Sequence, residues 1–177
     1  MSEKTNLRPE KADSAAAPLS RHQEQARALF LGDFNCAQAV FAAFNDVTGL
    51  DAETAMKLSS SFGGGMGRMR EVCGAVSAMF MVAGLLYGYS DPADAEAKAA
   101  HYALIQQLAA QFREQHGTIL CRDLLAAVET DASPNPTPRT DDYYQTRPCL
   151  KFVEDAAGLI DRLIAEKSAA ADAAKAR

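Results

Sequence analysis

Apolar residues return at steps of three and four along most of this 177-residue chain, and nowhere do they alternate. A step of three or four places side chains on one face of an α-helix, whereas a strand exposed on one side needs a step of two. The pattern restricts the fold class to all-α. It predicts a compact helical bundle of about six to seven helices with one central apolar helix.

Local signals set the expected boundaries. Leu19, Gln23, Ala26, Leu29 and Phe30 share a face of a first helix, which Gly32 ends. Asn35 is a good N-cap for a second, where Cys36, Val40, Phe44 and Val47 repeat until Gly49. Asp51 caps a short third helix. Gly63, Gly64, Gly65 and Gly67 then exclude a helix, because ordering so many glycines costs too much backbone entropy. A fourth helix is expected from about Arg70 to Tyr87. It is apolar on nearly every face, which makes it the central one. Gly74 with Ala78, and Gly84 with Gly88, are spaced to let a neighbouring helix approach. Asp91-Pro92 is expected to open the fifth helix, with His101, Ile105, Leu108 and Phe112 facing the core and Gly117 at its end. A short helix follows from about Cys121 to Val128, then a loop over 130–146 with three alternating prolines. Pro148 opens the last helix. The expected organisation is a disordered N-terminal tail over 1–18, a four-cysteine helical domain over 19–166 and a C-terminal tail over 167–177.

Charge and hydropathy remove several function classes. Eighteen Lys and Arg against 23 Asp and Glu leave a net charge of −5, which argues against a general nucleic-acid binder. The longest near-continuous apolar stretch, Val72 to Leu86, falls short of the roughly 18 residues a membrane span requires. The first residues hold no apolar h-region, so no secretory signal is expected, and the expected compartment is the cytoplasm.

Four cysteines remain: Cys36, Cys73, Cys121 and Cys149. A reducing compartment disfavours permanent disulfides. No pair forms Cys-x-x-Cys, which removes zinc-ribbon, thioredoxin-like and c-type haem motifs. Each cysteine falls at or near an expected helix start, where the helix dipole and free N–H groups favour a thiolate. Antiparallel connections return the chain to one end of the bundle at Cys36, Cys73 and Cys121; the proline loop leaves Cys149 less constrained. The expectation is that all four converge there, with at least one pair close enough to bridge. Arg68, Arg70, Arg122, Arg147 and Lys151 lean the nearby charge positive, which lowers thiol pKa values. Gly63, Gly64, Gly65 and Gly67 lack the Gly-Lys-Ser/Thr ending of a phosphate loop, but such a loop can aim N–H groups at a thiolate, a sulfide or another anion. With Arg68 and Arg70 they are the candidate cofactor-binding residues. The loop over Pro134 to Thr146 is expected to border the cysteine end, with Tyr143 and Tyr144 packing down.

These residues carry a resemblance. Asn35-Cys36-Ala37-Gln38-Ala39-Val40, the run Phe62 to Met69, Val72-Cys73-Gly74-Ala75, Cys121-Arg122-Asp123-Leu124-Leu125 and Arg147-Pro148-Cys149 together resemble the C_GCAxxG_C_C family of small bacterial and archaeal redox-active proteins. The resemblance covers roughly residues 20–165. One departure stands at Ala78, where the family's Cys-Gly-Ala-x-x-Gly ends in glycine; it bears on packing and leaves the thiols intact. A related domain accompanies haem-binding segments in some cytochromes, but no Cys-x-x-Cys-His exists here, so covalent haem is not implied.

Three functions follow as expectations. The first is thiol redox, as a thiol–disulfide oxidoreductase acting with a redox partner protein or a small thiol. Here Cys73 is the nucleophile, Cys36 the resolving partner, and Cys121 with Cys149 a second pair, although four cysteines allow three pairings. The second is a four-thiolate metal site, zinc or an iron–sulfur cluster, with Cys36, Cys73, Cys121 and Cys149 as ligands. The third is a structural helical interaction module whose cysteines only pack. His101 is expected to be a satisfied core residue and His22 and His116 to be exposed, which disfavours Cys–His hydrolysis.

Overall fold

The computed structural model describes residues 18–131 and 133–176. The expected N-terminal tail, apart from Pro18, lies outside these residues. Helices run over Arg21–Leu31 (α1), Cys36–Ala43 (α2), Asn45–Thr48 (α3), Ala52–Ser60 (α4), Gly63–Met66 (α5), Gly74–Tyr87 (α6), Ala95–His116 (α7), Cys121–Leu124 (α8), Asp141–Thr146 (α9) and Cys149–Lys175 (α10). The α5 segment is a single turn with left-handed backbone at Gly64 and Gly65, so the glycine run holds no regular helix. Among the described residues there is no sheet. One isolated antiparallel bridge joins Val72 to Leu120. The fold is an all-α bundle, and none of its described helices is long and apolar enough to cross a membrane.

Side-chain caps fix the starts the sequence marks. Ser20 and Asn35 each form a reciprocal capping box, with Gln23 and Gln38, and Asp51 accepts from the Thr54 amide. Other boundaries move. The fifth long run opens at Ala95 under Asp94, not at Pro92, because the Asp94 carboxylate reaches the Ala97 amide. The helix expected from Arg70 begins only at Gly74, because residues 70–73 pair instead with 119–122. The last helix continues to Lys175.

The centre of the bundle is shared. Helix α2 packs on α1, α4, α6 and α10, and α10 also packs on α1, α6 and α7. Ala37, Ala39, Val40, Phe41, Ala42 and Ala43 of α2 are all buried. Helix α6 is enclosed only along its first turns and at Val82 and Ala83; Leu85, near its end, is 52% exposed. The expected central apolar helix, α6, shares the core with α2 and α10. Gly84 has open space where a Cβ would stand, so it serves no close helix approach. Gly74 does: a Cβ there would lie 3.2 Å from the Ala37 amide nitrogen of α2.

Two histidines expected at the surface are held inside. His22 stacks on Phe44 with ring centroids 4.3 Å apart and contacts Asp161 at 2.5 Å and Asp46 at 3.2 Å. His116 packs against Phe112 and Phe152 and meets Asp155 at 3.1 Å. Burial pulls the His116 pKa down, and the Asp155 carboxylate opposes this. His101 keeps its Nδ1 buried without a partner rather than satisfied.

Candidate functional site

Each cysteine is placed by a helix beginning. Cys36 is the first residue of α2, directly after the Asn35 cap, and Asn35 Nδ2 also donates to the Ser60 carbonyl at 3.2 Å. Cys73 stands at the N-cap of α6. Cys121 opens α8, and Cys149 opens α10 after Pro148. The isolated bridge fixes the middle two. The Cys73 amide donates to the Ile119 carbonyl at 2.8 Å, and the Cys121 amide to the Glu71 carbonyl at 2.7 Å. A single bridge leaves no alternation in the sequence, so nothing in the hydropathy pattern announces it.

All four cysteines border one cavity of about 60 Å³. That is room for a few water-sized groups. Phe30, Leu124, Leu125 and Phe152 form its apolar wall; Arg70, Arg139, Tyr143 and Arg147 supply the polar one. The thiols are free, Cys73 and Cys121 buried and Cys36 and Cys149 half-buried. They do not form a ligand set: among the described residues, no group of three or more Cys, His, Asp or Glu is arranged to hold a metal ion. The four-thiolate zinc or iron–sulfur expectation therefore lacks its ligand geometry among the described residues.

Two glycines make the approach possible. A Cβ on Gly74 would lie 2.6 Å from Cys36 Sγ and 2.7 Å from the Phe62 carbonyl oxygen. Gly74 thus lets the Cys36 sulfur rest against the residue next to Cys73. Gly65 has φ +72°, and a Cβ there would stand 2.6 Å from Cys121 Cβ. Only glycine combines that left-handed backbone with that contact. The strain continues past the glycines. Met66, Arg68 and Arg70 have φ of 59°, 70° and 62°. Left-handed backbone costs a non-glycine residue roughly 1–2 kcal/mol, and such outliers gather at functional sites.

At Cys73, Cys121 and Cys149 the expected low thiol pKa values are overturned. Burial pushes Cys73 well above its ordinary value, and a nearby Cys36 charge adds to the rise. Burial and then Cys36 also raise Cys121, against the contact and charge of Arg70 and the charge of Arg147. Burial lifts Cys149 to about 12, with Cys36 and Cys121 adding and Arg147 and Arg139 opposing. Desolvation in an apolar cavity outweighs helix ends and guanidinium groups at these three positions. A charge on Cys36 contributes to the rise at all three.

A lid closes the site. Arg139, Tyr143 and Arg147 follow one another at four-residue steps along and around α9. The Arg139 guanidinium stacks on Phe30 at 4.5 Å and on Tyr143 at 4.7 Å, while Arg147 covers Tyr143 at 4.9 Å. Burial raises the Tyr143 phenol to about 12. Tyr144 meets Phe30 edge-on, with ring centroids 6.0 Å apart. Arg68 ties the preceding segment down. Its guanidinium donates to the Ser133 carbonyl, Thr137 Oγ1 and Asp131, so it is committed to the lid rather than left for a cofactor. Arg139 is the site residue that sequence reasoning missed; its signal was the 139, 143, 147 spacing inside a segment read as loop.

The geometry has a counterpart in sequence families. Residues 34–163 match the family model described as "Putative redox-active protein (C_GCAxxG_C_C)". The chain belongs to the C_GCAxxG_C_C family. The match takes in all four cysteines, the glycine loop and the lid, and it ends on the buried part of α10. The departure at Ala78 falls at a fully buried position of α6. No curated protein and no solved structure matches the chain significantly.

Proposed function

We propose that the protein performs thiol–disulfide exchange inside the lidded cavity, with Cys36 as nucleophile and Cys73 as resolving thiol. This reverses the roles expected from sequence. The observation that carries it is the shared cavity: four free cysteines border one space, and a charge on Cys36 opposes ionisation of the other three. Cys73 is only 5% exposed and strongly desolvated, which suits a second attack better than a first. Cys36 is half-buried at the start of α2, which leaves it the more accessible of the two for a first attack.

The Cys36 thiolate attacks one sulfur of a disulfide R–S–S–R′, forming Cys36–S–S–R and releasing R′–S⁻. Cys73 then passes its proton to the departing R′–S⁻ and attacks the Cys36 sulfur. A Cys36–Cys73 disulfide forms and R–S⁻ leaves, so the substrate is reduced and the protein oxidised by two electrons. A reduced dithiol partner, protein or small molecule, restores the thiols. Cys121 and Cys149 supply a second pair against the same cavity. Exchange that ends with the thiols re-reduced requires a reducing compartment, and we assign the protein to the cytoplasm on that ground.

Trapping tests the order of attack. Treated with hydroxyethyl disulfide, a Cys73→Ser variant should accumulate a mixed disulfide on Cys36, read by mass spectrometry of peptides. A Cys36→Ser variant should form none at Cys73. A mixed disulfide on Cys73 in the Cys36→Ser variant would restore the opposite order.

A further inference from the structure

Beside the thiol cavity lies a second, larger chamber of about 280 Å³. The two share a wall, because Gly64, Arg70, Arg139, Tyr143 and Arg147 line both. The outer chamber adds Arg68 and the lid prolines. Four arginines thus meet at one space, and among the described residues no carboxylate lines it. In a protein of net charge −5 that concentration of cations is local, not a reflection of composition.

We propose that this chamber is a binding site for a small oxyanion group, sulfate-like or carboxylate, and that it presents anionic reagents to the thiols. The inference rests on the thiol reading and narrows its substrate class to disulfides or related electrophiles bearing an acidic group. Arg70 carries the argument. Its Nε and Nη2 atoms are buried and have no hydrogen-bond partner. Those two atoms form the side-on edge of a guanidinium, the edge that grips a carboxylate or sulfate with two parallel bonds. Two guanidinium N–H donors buried without an acceptor are unfavourable unless an anion completes them. The backbone reaches this position through a left-handed residue, φ 62° at Arg70 itself. Arg147 reaches the chamber from the lid, and its guanidinium meets the face of Tyr143. Arg68 holds Asp131 and the lid carbonyl, so it shapes the chamber while Arg70 and Arg147 bind. The thiol cavity itself is too small for a large substrate, which leaves the acidic group outside and the reacting atom inside.

Two alkylating reagents of nearly equal size separate charge from access. Iodoacetate carries a carboxylate and iodoacetamide does not. The reading is the ratio of their second-order rates at Cys36, set against the same ratio for N-acetylcysteine. The full-length reduced protein should favour iodoacetate by about tenfold or more relative to the free thiol. Inorganic sulfate should suppress the iodoacetate reaction, and calorimetry should detect sulfate binding directly. Arg70→Met and Arg147→Met should each return the ratio toward that of N-acetylcysteine. Arg113→Met, on an exposed position of α7, should keep it. The Arg147 variant alters no left-handed residue, so it answers even where the Arg70 variant misfolds. A ratio equal to that of the free thiol, with no sulfate binding, overturns the proposal. An iodoacetate preference with no disulfide exchange would instead retain the anion site and remove the thiol–disulfide reading.

Discussion

Glycine and cysteine act here as a unit. The Gly74 hydrogen stands where any side chain would displace Cys36 Sγ, and Gly65 meets the Cys121 Cβ through a left-handed turn. Gly65→Ala combines an unfavourable φ with a clash against backbone and side chain. It should cost about 2–4 kcal/mol and disturb Cys121. Gly84→Ala is the contrast, since its Cβ would meet nothing and its backbone is helical. It should gain about 0.5–1 kcal/mol. Urea unfolding midpoints of the two variants should move in opposite directions from the parent; equal losses would show that the cavity does not set the requirement for glycine. The caps at Asn35 and Asp51 were legible because a short polar side chain before an apolar period has one physical use. His116 was misread although Phe112 stands four residues before it on the same face. A polar residue on an apolar stripe has to be judged by its position before its composition.

At the scale of elements, the lid decides access. Arg139, Tyr143 and Arg147 cover the cavity through stacking, and Arg68 secures the segment before them. Tyr143→Ala removes the ring that both lid arginines stack on. Iodoacetamide should then alkylate Cys149 and Cys121 several-fold faster, as the group that excludes solvent is lost, with the α-helical circular dichroism nearly unchanged. Unchanged thiol rates would show that the lid does not guard the site. This covering segment was hidden in the sequence because three prolines dominate its local signal, while α9 is only six residues long. The bridge between Val72 and Leu120 was hidden for a related reason. One pair of residues has no period, yet it moves the start of α6 from Arg70 to Gly74 and registers Cys73 with Cys121. Long helices with a continuous apolar stripe, such as α10, were legible because burial requires that stripe.

For the whole molecule, buried thiols tie stability to alkaline pH. Cys149 titrates near 12 in the folded protein against an ordinary value of 9.0. The folded form therefore holds the proton more tightly than the unfolded form. The associated stabilisation is intact below pH 9.0 and is lost as pH rises toward 12. Cys73 and Cys121 act in the same direction. Urea midpoints should fall between these limits, and Cys149→Ala should make the fall shallower; an identical slope would place the alkaline loss elsewhere. The same desolvation that protects the thiols at neutral pH is what makes sequential attack necessary, because neighbouring thiolates in one cavity oppose each other's ionisation. The account stands or falls on which sulfurs join. The most direct measurement is disulfide mapping by mass spectrometry after the reduced, full-length protein reacts with a slight excess of hydroxyethyl disulfide. An intramolecular Cys36–Cys73 bond is expected as the first product, with Cys121 and Cys149 still free. Four unreacted thiols, or a first bond that excludes Cys36, would contradict it.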